Sequence, residues 1–242
     1  MSREQTFQCI AHIRTDFPEK FGIPRQSNLV PETVGRIVFE KEFRDPLMIK
    51  GIEGFSYLWL LWRFDSAGRW SKTVRPPRLG GKETVGVFAS RSPYRPNPIG
   101  LSSVRLLGLE ETEEGTVLLV SGADLRDGTA IFDIKPYIAY ADSHLEAEEG
   151  FVGATDWKGL MVDFPEELLL RFPEEKRAAV KKLLSLDPRP RYGDAPGSVY
   201  GVAFAGKDVR FTVEGEILTV TDVTEYGESK VKGAQEKTVE NN

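Results

Sequence analysis

The stretch that decides the fold is Phe55-Ser-Tyr-Leu-Trp-Leu-Leu-Trp-Arg-Phe64. Its run from Phe55 to Trp62 is the longest apolar one in the chain. A membrane-spanning helix needs roughly 20 such residues, so none is expected. The length and aromatic content suit a β-strand, and the near-continuous apolar character predicts burial on both faces. Working outward, Thr6–Arg14 and Thr33–Phe39 precede it as short β-branched or aromatic segments. Val85–Ala89, Ile99–Leu109, Thr116–Leu125 and Ile131–Ile134 follow, divided by Gly, Pro and charged turns. Short strands at close spacing predict a barrel or sandwich. No amphipathic helix alternates with them, which disfavours a doubly wound sheet.

Near residue 150 the pattern changes. Pro165–Leu186 reads as helix, with Pro173 opening a second helical segment. Val180, Leu183 and Leu184 give that segment an apolar face, and Pro188 and Pro190 end it. Strands at Val199–Phe204, Val209–Val213 and Ile217–Val223 come next, and Gly227–Asn242 is polar and predicted disordered. The fold class is therefore mainly β, with a β domain over 1–155, a smaller α+β domain over 156–226 and a tail over 227–242. A length of 242 residues suits one full domain plus a small one.

Cys9 is the single cysteine, and His12 and His144 the two histidines. A disulfide framework is excluded, and no metal ligand set is expected. The N-terminal residues show no signal-peptide pattern, so a cytoplasmic protein is expected.

The net charge of −5 conceals an asymmetry. Residues 63–105 carry 9 basic and 2 acidic side chains, and residues 106–150 carry 2 basic and 11 acidic. Such a basic stretch, with Trp70, Phe88 and Tyr94 interleaved, suits an anion or nucleic acid, although a solvated surface is the plainer alternative.

Gly201-Val-Ala-Phe-Ala-Gly206-Lys207 almost fits a phosphate-binding loop, but Asp208 stands where a hydroxyl should follow. It reads better as a strand ending in a tight turn. No dinucleotide glycine fingerprint and no nucleophile elbow occurs.

Three stretches carry chemistry. In Glu19-Lys-Phe-Gly-Ile-Pro24-Arg25-Gln26 a tight loop exposes an Arg that can fork onto an acid and a Gln that can bond a base edge. Val74-Arg75-Pro-Pro-Arg78-Leu-Gly-Gly leads to Arg91-Ser-Pro-Tyr-Arg95-Pro-Asn97-Pro-Ile-Gly-Leu101-Ser. The prolines fix φ and preorganise Arg91, Arg95 and Asn97, lowering the entropic cost of binding. In Asp124-Leu125-Arg126-Asp127-Gly-Thr-Ala-Ile-Phe-Asp133-Ile-Lys135-Pro-Tyr137, Asp127-Gly128 reads as a turn joining two strands, and three acids gather near Lys135. Each stretch has an ordinary reading as a surface turn.

Together, and in this order, they resemble the TsaA/TrmO-like family of S-adenosylmethionine-dependent tRNA (adenine-N6)-methyltransferases. Leu186-Asp-Pro-Arg-Pro-Arg-Tyr192 is similar to the start of that family's C-terminal domain. The resemblance implies a small single-sheet β-barrel, S-adenosyl-L-methionine as cofactor and a homodimer. It also implies N6-methylation of threonylcarbamoyl-adenosine, 3′ of the anticodon of threonine tRNA, with neither DNA nor membrane as partner. By position, Pro24, Arg25, Gln26, Arg91, Leu101 and Asp124–Asp127 match cofactor contacts, and Asp65 and Ser66 match a variable polar pair. Ala11 and Ala130 depart from the family's usual Gly and Pro.

The transferred methyl needs an aligned amine whose proton has an acceptor, a task suited to Asp124 or Asp127. Arg75, Arg78, Arg95, Asn97 and Lys135 are the candidates for tRNA contact. A competing class is a non-catalytic module that binds S-adenosylmethionine or RNA and regulates without turnover.

Overall fold

The structure is a computed structural model that describes residues 6–65, 68–80, 83–154, 159–189 and 197–227. The chain is mainly β and divides into two compact units. The first comprises residues 1–15 and 25–157, and the second residues 16–24 and 158–242. The assignment of residues 16–24 to the second unit has no sequence signal, because it depends on contacts with strands near residue 200.

In the first unit the strands are β1 (Ala11–Arg14), β2 (Val34–Phe39), β3 (Tyr57–Arg63), β4 (Thr73–Val74), β5 (Val85–Gly86), β6 (Ile99–Thr112), β7 (Gly115–Ser121) and β8 (Thr129–Pro136). A one-turn helix, α1 (Ala139–Asp142), follows. Strands β4 and β5 form a separate ribbon. The other six pair antiparallel in the order β1-β2-β7-β6-β3-β8, and β8 returns to β1, so the sheet closes into a barrel. Register shifts at Leu106/Gly108 and at Leu61/Trp62 add the bends that closure needs.

The reading of β3 as buried on both faces is corrected. Leu58, Leu60 and Trp62 point into the core, while Tyr57 and Arg63 are exposed and Trp59 and Leu61 are partly covered. A closed barrel has one dry face, and the outer aromatics cover each other instead. Tyr137 lies 5.4 Å from Trp59 and 6.2 Å from Tyr57, ring centroid to centroid. Asp142 accepts the Ile138 N–H at 2.8 Å and the Trp59 indole N–H at 2.9 Å, and these bonds, the first above all, lower its pKa. Ile13, Ile37, Val104, Leu118, Val120, Leu125 and Ile131 complete the core. Each such burial stabilises by about 1.5–3 kcal/mol.

The second unit has β9 (Met161–Asp163), α2 (Glu166–Leu169), α3 (Glu174–Ser185), β10 (Tyr200–Phe204), β11 (Lys207–Glu214) and β12 (Ile217–Glu225). Its sheet runs β10-β11-β12-β9, with the short β9 parallel to β12. Helix α3 buries Ala179, Val180, Leu183 and Leu184, the expected face. Ala205-Gly206 joins β10 to β11 with φ of 49° and 75°, a hairpin turn, so the near-miss phosphate loop is a hairpin. Phe204 packs against both Phe17 and Phe172 with tilted rings, and Asp16 pairs with Lys176 at 2.5 Å. Those contacts are what draw residues 16–24 into this unit.

No helix among the described residues is long and apolar enough to cross a membrane. The predicted disordered tail lies outside the described residues, apart from Gly227.

Candidate active site at the barrel mouth

Strands β1, β3 and β7 end, and β2, β6 and β8 begin, at one end of the barrel, because neighbours run antiparallel. The connections 64–98 and 122–128, and the segment from Arg25 to Thr33, therefore share one mouth. They carry parts of the three stretches singled out in the sequence, namely Arg25 and Gln26, Arg75, Arg78, Arg91 and Arg95, and Asp124–Asp127.

The segment 122–128 is not a hairpin. Strands β7 and β8 do not pair, and two strands separate them in either direction around the barrel. The segment must cross the mouth. Ala123 and Leu125 are buried, at 3% and 0% exposure, while Asp124 and Arg126 between and beside them are only partly covered. Its backbone is tied down along its length. Asn28 N–H bonds Gly122 O at 2.8 Å, and Gly122 N–H bonds Thr33 O at 3.2 Å. Thr15 Oγ1 donates to Leu125 O at 3.0 Å, and Gly128 N–H bonds Ile13 O at 2.8 Å. Gly122 has φ of 72°, and a Cβ there would lie 2.7 Å from Asn28 Oδ1, so only glycine fits.

The acids of this segment have different partners. Asp127 Oδ1 accepts the Thr15 N–H at 3.0 Å, with Arg14 4.0 Å from the other oxygen. Asp124 Oδ1 accepts the Ser102 hydroxyl at 2.5 Å. Ser102 is 1% exposed and itself accepts the Trp62 indole N–H at 3.0 Å. Burial raises the Asp124 pKa against the opposing effects of the Ser102 bond, its own backbone N–H and the Arg91 charge. Asp133 does not join them. It lies along β8 and pairs with Lys135 at 2.7 Å, so the expected cluster of three acids is corrected to one part-buried acid on Ser102 and two bonded elsewhere.

Gln26 Oε1 accepts a hydrogen bond from the Arg91 guanidinium, joining two motifs 65 residues apart. Gln26 Nε2 also donates to Arg25 O at 2.6 Å. Arg25 is exposed, and Pro24 is buried within the second unit. Asp65, just beyond β3, pairs with Arg126 at 3.2 Å. Ser66 lies outside the described residues. Leu101 is 56% exposed and alternates with the inward Ser102, so it presents an apolar side chain on the outer face of β6.

The candidates for tRNA contact separate. Arg95 braces its own loop, donating to Val87 O at 3.1 Å and Ser90 O at 2.6 Å and lying 5.5 Å over the Phe88 ring. Phe88 is left 76% exposed. Arg78 donates to Val152 O at 3.2 Å. Arg75 and Asn97 are exposed in the 64–98 connection. Lys135 is near the far end of β8, about 20 Å along the strand from Thr129 at 3.3 Å per residue.

Sequence reading missed Ser102, Trp62, Asn28 and Thr15. Ser102 carried a faint signal, as a hydroxyl inside an apolar strand. Asn28 had none, since its φ of 62° and its bonds to Ser103 exist only in the folded chain. The separation of Cys9 and His12 from His144 hid a further cluster, in which β1–β2 pairing brings Cys9, His12 and Glu40 within 4.8 Å.

The family model described as "tRNA-methyltransferase O N-terminal domain" matches residues 12–143, and that described as "TrmO C-terminal domain" matches residues 159–226. The chain belongs to the TrmO family. The Escherichia coli protein named tRNA (adenine(37)-N6)-methyltransferase is 37% identical over 218 residues, covering 86% of this chain and 92% of that one. A Pseudomonas aeruginosa protein named putative S-adenosylmethionine-dependent methyltransferase RcsF is 38% identical over 225 residues, covering 88% and 95%. The crystal structure of Pseudomonas aeruginosa TrmO superposes with a TM-score of 0.75 at 33% identity, covering 93% of this chain and 100% of that one. The TrmO domain boundary between 143 and 159 lies where the two compact units divide.

Proposed function

We propose that this protein is an S-adenosylmethionine-dependent tRNA (adenine-N6)-methyltransferase acting on threonylcarbamoyl-adenosine, 3′ of the anticodon of threonine tRNA. The observation that carries the reading is the barrel mouth. There Gln26, Arg91, Ser102 and Asp124 meet in a chain that matches TrmO relatives over nearly its whole length.

The donor set suits the cofactor. A sulfonium and an amino group are cationic and suit Asp124, whereas a carboxylate suits Arg91 or Arg25. The cofactor-contact set within the first unit is Arg25, Gln26, Asp65, Ser66, Arg91 and Asp124–Asp127, with Leu101 offering an apolar edge. The bound cofactor supplies a methyl on a positively charged sulfur.

In the transfer the adenine N6 lone pair forms the new C–N bond. S-adenosylmethionine held by these residues would supply the methyl and leave as a neutral thioether that keeps the electron pair of the C–S bond. The surplus N6 proton needs an acceptor. Asp124 fits this role, because a carboxylate of raised pKa takes a proton more readily than an ordinary one. Asp127 serves instead to hold the segment across the mouth. Alignment supplies much of the rate, and oriented reactants gain roughly 7–11 kcal/mol.

The first unit carries cofactor and catalysis, in a homodimer working on cytoplasmic tRNA. Arg75, Arg78 and Asn97 supply phosphate or base contacts, and Phe88 a stacking face held by Arg95.

The test is transfer of labelled methyl from S-adenosylmethionine into total tRNA from cells deleted for this protein, followed by nucleoside mass spectrometry. Methyl on threonylcarbamoyl-adenosine is expected. Methyl on another base would discard the substrate and keep the reaction class. Cofactor binding without transfer would replace the enzyme by a regulatory binding module.

A further inference from the structure

We propose that Cys9, His12 and Glu40 form a binding site for one zinc-type divalent cation, at the end of the barrel opposite the mouth. None of the three has a role in methyl transfer. Their placement comes from barrel pairing. His12 lies in β1 opposite Val38 of β2. Glu40 follows β2 directly, and its N–H bonds Ile10 O at 2.9 Å. Strand alternation therefore puts His12 and Glu40 on the same outer face. Ile10 N–H bonds Ile131 O at 2.8 Å, so the backbone between Cys9 and His12 is pinned on both sides.

The donor atoms are already close. Cys9 Sγ lies 3.7 Å from His12 Nε2 and 3.9 Å from Nδ1. His12 Nδ1 lies 2.6 Å from Glu40 Oε1. One ligand atom from each residue lies within 4.8 Å of the others. Tetrahedral zinc, with Zn–S of about 2.3 Å and Zn–N of about 2.0 Å, separates sulfur from nitrogen by about 3.5 Å. Small side-chain rotations would bring the cluster to that geometry. The His12–Glu40 contact would open by about 1 Å to admit the ion between nitrogen and oxygen.

The donor types choose the ion. One thiolate, one imidazole and one carboxylate suit zinc or cobalt, whereas magnesium and calcium take oxygen ligands throughout. The His12 and Glu40 side chains are 39% and 43% exposed, leaving water a fourth position. The competing role for this cluster is a surface His–Glu ion pair with the thiol as a bystander.

The test titrates the reduced full-length protein with Co²⁺ alone and then adds Zn²⁺. One equivalent of Co²⁺ is expected to produce a near-ultraviolet thiolate-to-cobalt band with tetrahedral visible bands, and Zn²⁺ to abolish both. Cys9→Ser should remove the thiolate band. His12→Ala and Glu40→Gln should each weaken Co²⁺ binding roughly tenfold or more. No thiolate band in the wild-type protein at equimolar Co²⁺ would overturn the proposal without reference to any variant. A band of unchanged affinity in both His12→Ala and Glu40→Gln would also overturn it, by showing a thiol that captures metal alone.

Discussion

Ser102 donates its hydroxyl to Asp124 at 2.5 Å while accepting the indole N–H of Trp62 at 3.0 Å. A core aromatic thus orients a hydroxyl that in turn orients the carboxylate at the mouth. Burial raises the Asp124 pKa, and the Ser102 bond opposes that rise. If Asp124 takes the N6 proton, it must be ionised. The acidic limb of kcat against pH should then be displaced upward from the ordinary aspartate value. Ser102→Ala should move that limb to higher pH. A fall in kcat with an unmoved limb would mean that Ser102 is only structural.

Asp124 should also lower stability at neutral pH. A carboxyl whose folded pKa is raised stabilises the fold while it is protonated. That contribution is complete below the unfolded-state pKa and is lost as pH rises through the folded value. Asp124→Asn, which cannot ionise, should therefore raise the thermal midpoint at pH 7 and lose this advantage in acid, while transfer falls. Thermal melts at the two pH values check the sign.

Asp127 has a different prediction. Its Oδ1 accepts the Thr15 N–H, a task an amide oxygen performs equally well. Asp127→Asn should retain most of the transfer rate. Asp127→Ala should cost about 1 kcal/mol through the lost bond and loosen the crossing segment. Steady-state kinetics and denaturant melts on the pair separate this from a catalytic role, in which Asn would fail as badly as Ala.

Gly100→Ala should damage the fold. A Cβ there would lie 2.2 Å from the Trp62 ring, which is held in the core between neighbouring strands. Overpacking of this kind costs about 1–3 kcal/mol. Because Trp62 also holds Ser102, activity should fall along with the thermal midpoint.

Arg95 and Lys135 should behave differently. Arg95→Ala releases two loop carbonyls and the Phe88 face, so KM for tRNA should rise about tenfold, equivalent to about 1.4 kcal/mol. Lys135→Ala removes a cation near the far end of β8 that already pairs with Asp133, and tRNA binding should be unchanged. Filter binding at fixed salt distinguishes the two.

Local chemistry was legible along the chain. Thr33–Phe39 and Ile217–Val223 came out within a residue or two of the observed strands, because β-branched runs between turn residues need no distant partner to be recognised. Pro173 opened α3 as expected, since a proline at that position loses no helical hydrogen bond. The reading of β3 went wrong because composition does not say how much of a strand's outer face is covered. The short β9 escaped notice because three residues carry no period, and its pairing with β12 supplies the reason it is a strand.

By itself the sequence determined the mainly β class, the change of character near residue 150, and which motifs carry charge and rigid turns. Those features follow from side-chain type and from backbone restriction at Pro and Gly, both local properties. Only the tertiary structure decided that Asp124-Leu-Arg-Asp127 crosses the barrel mouth, that Ser102 and Trp62 stand behind Asp124, and that Asp133 and Lys135 lie apart from it. Closure of the barrel sets which strands are neighbours, and with them which side chains meet. That depends on pairing between segments up to a hundred residues or more apart, which no local pattern encodes.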